Sequence, residues 1–258
     1  MESENTRRNF LRSSAVVGGG LLLTGCRPTV KEAQGDQKGT KSEKGDSAGK
    51  KDEDEKGGEV TAPEDLMREH GVLRRTLLVY TAAAAKLRTN SSSVPPDALQ
   101  KAAQLFRAFG EDYHEKKLEE AYIFPAVKRA GGPAAAYPDI LITQHQRGRE
   151  ITQYILAVTQ GAKIGVANAE PLARALESLV LMYRHHAARE DTIIFPAWKE
   201  TLTAEQLDDM NDKFEDIEHE QFGKDGFEDA VKQIGDIETS MGLADISQFT
   251  APPPPSAG

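Results

Sequence analysis

Apolar residues recur at helical spacing along nearly the whole stretch from Pro63 to Gly242, and no β-branched run alternates as a strand would. Prolines followed by acids mark helix starts, and glycines or prolines mark stops. Four helices are predicted, from Pro63 to about Leu87, from Pro95 to about Arg129, from Pro138 to about Gly161 and from about Glu170 to Glu200. A fifth is predicted to start at Thr203, which has capping-box spacing to Gln206. This order predicts an all-α fold, an up-down four-helix bundle with additional C-terminal helices packed alongside.

The N-terminus has the features of an export signal. Residues 6–11 (TRRNFL) resemble a twin-arginine signal, and a short apolar run follows at 15–23. Residues 23–26 (LTGC) look like a bacterial lipobox, in which the chain is cut before the cysteine and the thiol of Cys26 is lipidated. We predict export by the twin-arginine route and a lipid anchor in the bacterial cell envelope, facing the periplasm. The alternative is a chance arginine pair and a buried thiol.

The boundaries between segments follow from composition. Residues 1–26 are the predicted signal peptide, and residues 27–60 contain almost nothing apolar, which predicts a disordered linker. The bundle covers residues 61–202, the C-terminal helical extension 203–249, and a disordered proline-rich tail 250–258.

Charge and cysteine content exclude several classes of protein. The chain has 258 residues and a net charge of −9, so nucleic acid is not expected as the main partner, because phosphate binding needs clustered lysine and arginine. A single cysteine excludes an intrachain disulfide framework and a cysteine-rich zinc or iron–sulfur site. The sequence contains no run of about 18 uncharged apolar residues, so it predicts no ordinary membrane-spanning helix.

The histidines form part of an internal repeat. Residues 114–128 (HEKKLEEAYIFPAVK) align without a gap on residues 185–199 (HHAAREDTIIFPAWK), on the second and fourth predicted helices. The identical pairs are His114/His185, Glu119/Glu190, Ile123/Ile194, Phe124/Phe195, Pro125/Pro196, Ala126/Ala197 and Lys128/Lys199. On the first and third helices His70 and His145 are each followed four residues later by an arginine. Imidazoles and carboxylates from facing helices are the ligands of a two-metal centre, for which iron is favoured and zinc is the alternative.

These motifs resemble the hemerythrin-like family, also called HHE cation-binding domains, over about Pro63 to Glu200. The resemblance implies a four-helix bundle around two non-heme irons, with or without an oxo or hydroxo bridge. Carried over by position, it implies these metal ligands: His70, His114, Glu119, His145, His186 and Glu190.

Two features depart from the family pattern, and the fourth helix offers two histidines for one ligand position. His114 and Glu119 are five residues apart, so on a regular α-helix their side chains would point about 140° away from each other around the axis. We predict a single-turn π-bulge that realigns them. On the fourth helix His186 fits a regular helix whereas His185 matches the repeat, and we favour His186 as the ligand. Arg149 stands where classical oxygen carriers have a further histidine, which argues against reversible oxygen carriage.

Three functions are compatible with these residues. The first is an iron protein that binds or senses oxygen, nitric oxide or another small diatomic, or that hands iron onward. The second is an enzyme using the same centre, a peroxidase or iron oxidase acting on peroxide or iron. The third is a metal-free helical interaction module, with an unknown protein partner. His219, between two acids, is predicted to be a surface residue.

Overall fold

The structure, a computed structural model, describes residues 60–256, and in this range the chain forms six helices and no strand. Four helices are regular: α1 is Ala62–Asn90, α3 is Pro138–Val158, α5 is Ala204–Phe222 and α6 is Gly226–Met241. Helix α2 consists of Pro96–Leu105, the π-helical Phe106–Ile123 and Phe124–Ala130. Helix α4 consists of Val166–Arg189, the π-helical Glu190–Ile194 and Phe195–Lys199. The all-α prediction is confirmed. The predicted signal peptide, the lipidation residue Cys26 and the linker up to residue 59 lie outside the described residues.

Local capping explains where several helices begin and end. The backbone N–H of Thr61 donates to Glu64 Oε2 (2.9 Å) ahead of α1. The predicted capping box of α5 is present, because Gln206 N–H donates to Thr203 Oγ1 (3.2 Å) and Thr203 N–H donates to Gln206 Oε1 (2.9 Å). Helix α2 ends at Ala130 and is followed by Gly131, whose φ of 74° is in the left-handed region that glycine adopts without strain.

The start of α4 differs from the prediction. The sequence predicted a start at about Glu170, but the helix begins at Val166. Gly165 supplies an extended residue before the first turn and accepts the N–H of Asn168 (2.8 Å). Pro171 therefore lies inside the helix, where it removes one helical hydrogen bond.

The C-terminal helices pack on one side of the bundle. Helix α1 packs most extensively on α4, and α6 lies against α1 and α2. Glu238 of α6 accepts the Nε of Arg75 (2.9 Å), and the ring of Phe214 in α5 stacks on Trp198 at 5.6 Å. At the other end of α5, Phe222 packs edge-on against Tyr113. No helix within residues 60–256 combines the length and apolarity needed to cross a membrane.

Candidate metal centre

Four buried histidines from four different helices direct their Nε2 atoms to one region of the bundle interior. The Nε2 atoms of His70 (α1) and His114 (α2) lie 3.1 Å apart. Those of His145 (α3) and His186 (α4) lie 3.0 Å apart. Each ring is at most 3% exposed. The histidines therefore form two pairs, each with one lone histidine and one from the repeat.

Two buried carboxylates connect the pairs. Each oxygen of Glu119 lies 3.4 Å from one Nε2 atom, Oε1 from that of His114 and Oε2 from that of His145. Glu190 places Oε1 2.9 Å from His186 Nε2 and Oε2 3.6 Å from His70 Nε2. None of these four oxygens accepts a well-aligned hydrogen bond. Buried carboxylates without such partners are costly unless a cation balances them, so these oxygens are suited to hold a metal ion.

The donor atoms fit a transition-metal site. Glu119, His145, His186 and Glu190 can place ligand atoms within 4.8 Å of one another, and His70, His114 and Glu119 can do the same. Imidazole nitrogen and carboxylate oxygen are ligands that iron and related metals accept. The structure thus brings together all six residues that the sequence analysis selected.

A π-helical segment accounts for the five-residue spacing on α2. Phe106–Ile123 is π-helical, so backbone bonds span five residues instead of four. The wider turn brings Glu119 to the same face as His114. A π distortion is present as predicted, but it covers 18 residues and not a single turn.

The same π bond recurs after both glutamates. The N–H of Phe124 donates to the carbonyl of Glu119, and the N–H of Phe195 donates to the carbonyl of Glu190, five residues back in each case. The residue after each phenylalanine is a proline, which has no N–H and cannot continue the regular ladder. The duplicated Phe-Pro pair is therefore explained by the backbone that presents the carboxylates.

The remaining histidines point away from the centre. His185 is exposed, and its Nδ1 lies 3.1 Å from Arg189 Nη1. His186 is buried and faces Glu190. His219 is exposed in the last turn of α5, in agreement with its predicted surface position.

Each inward-facing imidazole is held from outside through its Nδ1. The acceptors are Asp191 for His70 (2.6 Å), Glu69 for His114 (2.7 Å), Glu120 for His145 (2.9 Å) and Gln144 for His186 (2.8 Å). A hydrogen bond at Nδ1 selects the tautomer whose Nε2 lone pair is free for a metal. All four acceptors adjoin a candidate ligand in the sequence. The sequence analysis missed them, although that adjacency was a signal.

The four acceptors of the Nδ1 protons form an outer layer around the centre. Arg74 and Arg149, four residues after His70 and His145, hold two of these acceptors in place. Arg149 does not reach the centre but donates to Glu120 Oε1 (2.6 Å) and to Glu115 Oε2 (3.2 Å). Arg74 donates to Asp191 in the corresponding place. Arg149, which stands where the family resemblance would place a further histidine, thus fixes the carboxylate of Glu120.

Neighbouring carboxylates favour the protonated form of two of the imidazoles, those of His114 and His145. Burial favours neutral imidazole at His114, but Glu119 and Glu69 outweigh it and hold the pKa of His114 well above its usual value. Burial acts likewise on His145, whose pKa is nevertheless raised to about 10 by carboxylates that include Glu115 and Glu119. A bound metal displaces these protons, so the affinity for a cation falls as the pH falls.

A small pocket with a volume of about 10 Å³, on the order of one water molecule, reaches the candidate ligands. Its apolar lining consists of Leu73, Leu77 and Ala187. Beside them the hydroxyl of Tyr183 donates to Glu115 Oε1 (2.6 Å). A Cβ at Gly148 would lie 2.1 Å from the Tyr183 hydroxyl oxygen, so glycine at this position makes room for the ring. The centre is therefore bordered by an apolar space with one polar side.

A buried carboxylate outside the centre, Glu111, dominates an adjoining polar cluster. It accepts a hydrogen bond from Thr152 Oγ1 (2.6 Å), and Arg107 Nε lies 2.8 Å from its other oxygen. Burial has the largest effect and raises the pKa of Glu111 to about 7, against the lowering effects of Thr152 and the two nearby arginines.

We expect Glu111→Gln to reduce the pH dependence of stability. The pKa of Glu111 is higher folded than unfolded, so its stabilising contribution is complete below pH 4.5 and is lost as the pH rises through about 7. The loss amounts to about 3 kcal/mol, and most of it falls between pH 5 and pH 8. Urea unfolding at these two pH values should show a smaller stability change in Glu111→Gln than in the wild type. Glu150→Gln, an exposed change on the facing helix, is the control. An equal change in the free energy of unfolding between the two pH values in all three proteins would contradict the raised pKa of Glu111.

Comparisons with known proteins agree with this geometry. The pattern of the hemerythrin HHE cation binding domain matches residues 61–198. The uncharacterized proteins Rv1995 of Mycobacterium tuberculosis and Mb2018 of Mycobacterium bovis are each 42% identical over 245 residues, which cover 95% of this chain and 90% of theirs. No solved structure matches significantly. The chain belongs to the hemerythrin HHE cation-binding domain family.

Proposed function

We propose that the chain holds two non-heme irons in this centre. One position is formed by His70 and His114 and the other by His145 and His186, which we call position A and position B. Glu119 and Glu190 give one oxygen to each. The observation that carries the proposal is the set of four buried carboxylate oxygens without hydrogen-bond donors, which face the four Nε2 atoms.

We propose further that the centre binds or senses a small diatomic molecule such as oxygen or nitric oxide, or passes iron onward. Two irons at this site would supply electrons and open coordination positions. Four imidazoles and two shared carboxylates leave positions vacant on two six-coordinate ions. The chain's own contribution is a small pocket, bordered by Leu73, Leu77 and Ala187 and by the Tyr183 ring, whose size limits a ligand at the centre to a very small molecule.

Metal analysis after anaerobic loading with Fe(II) tests both proposals. We expect about two irons per chain, as in di-iron helix bundles, and a change in the absorption spectrum when oxygen or nitric oxide is added. Sustained peroxide turnover that Glu190→Ala abolishes would instead make the protein an enzyme. A chain without iron after iron-supplemented expression would make it a helical interaction module.

We also propose that the protein is exported by the twin-arginine route and anchored by a lipid on Cys26. Support comes from the sequence alone, namely the arginine pair, the apolar run and the cysteine that ends the run. Cys26→Ser should release the protein from the membrane fraction. Unchanged membrane association in that variant would contradict the anchor.

A further inference from the structure

The outer partners of the four imidazoles differ in charge at one place. Three of the rings donate from Nδ1 to a carboxylate, those of Asp191, Glu69 and Glu120. The fourth, His186, donates to the neutral amide oxygen of Gln144. The internal repeat sets Glu69, before His70, against Gln144, before His145, so the difference lies between matched positions.

Within residues 60–256, the acceptor at Nδ1 of His186 is Gln144. Glu115, a further carboxylate on this side, lies 3.8 Å from Nδ1 of His145 and receives the Tyr183 hydroxyl. Each position has one arginine behind a carboxylate, since Arg74 pairs with Asp191 and Arg149 with Glu120. Position A therefore has two carboxylate-held imidazoles, and position B has one.

We infer that Gln144 makes position B the more weakly held and faster-exchanging of the two iron positions. A carboxylate that accepts the Nδ1 proton increases the electron density at Nε2 and strengthens its bond to a metal, whereas a neutral amide does so less. Gln144 acts through His186 and is a positioning residue. The inference rests on the proposed two-iron centre and adds an order in which the irons leave.

Iron release to a chelator measures this order. The full protein, loaded with two irons and reduced, is mixed with excess ferrozine, and the coloured complex is followed in time. We expect two phases of equal amplitude with rates about tenfold apart, the lower end of the effect of altering such partners. Gln144→Glu, which preserves shape, should slow the fast phase until it merges with the slow one. Glu69→Gln, the converse change at position A, should accelerate the slow phase instead.

Gln146→Glu is the matched control. Gln146 is exposed on the same helix two residues further on, so this variant adds the same charge without a contact to an imidazole. It should leave both phases as in the wild type. The inference is overturned if wild-type iron leaves in one phase, if Gln144→Glu leaves two phases, or if Gln146→Glu has the same effect as Gln144→Glu. Fewer than two irons at the start would overturn the proposed function as well, whereas two irons leaving together would overturn only the order.

Discussion

Glu119→Ala should remove iron from both positions of the centre, because one carboxylate supplies an oxygen to each histidine pair. The two oxygens of Glu119 lie at equal distances from His114 and His145. Partners in the outer layer alone change metal affinity by about 10–100-fold, so the loss of a shared ligand should cost at least about 100-fold at each position. Elemental analysis after dialysis against a chelator should find almost no iron, and Glu190→Ala should behave in the same way.

Glu220→Ala is the control for this experiment. Glu220 is exposed on α5, and its removal changes the net charge equally without touching the centre. This variant should retain both irons. If Glu119→Ala also kept two irons, the carboxylate would not be a ligand and the bridging arrangement would be wrong.

The candidate ligands could be identified from the sequence because part of the set repeats. A histidine and a glutamate followed by Phe-Pro occur twice in alignment, and random surface residues do not do so. The spacing of His114 and Glu119 also indicated a π distortion, because an α-helix could not satisfy it. Its extent of 18 residues could not be predicted, since it depends on how α2 packs along its whole length.

The outer layer was not accessible from the sequence, since it depends on contacts between helices. Glu69 and Gln144 resemble the polar residues that line most helix surfaces, and only the approach of α2 and α4 turns them toward His114 and His186. The placement of α6 on α1 and α2 likewise follows from tertiary contacts, such as Arg75 with Glu238, and no local pattern encodes it.

The duplicated helices imply that the two positions can be emptied separately, and neighbouring histidines provide the test. His186→Ala removes one imidazole from position B but leaves His70, His114 and both carboxylates in place. We therefore expect about one iron per chain, in contrast to the near-complete loss in Glu119→Ala. His114→Ala should likewise lower occupancy to about one iron by emptying position A.

His185→Ala is the decisive comparison, because the two histidines are adjacent but lie about 100° apart around α4, one exposed and the other buried. His185 is exposed beside Arg189, so its removal should leave about two irons. His219→Ala should also keep both, since that ring is exposed at the end of α5. Iron analysis of the four histidine variants then separates the ligands from the bystanders. If His185→Ala lost iron while His186→Ala kept it, the repeat and not the helix spacing would mark the ligand, and α4 would have to be rotated to bring His185 to the centre.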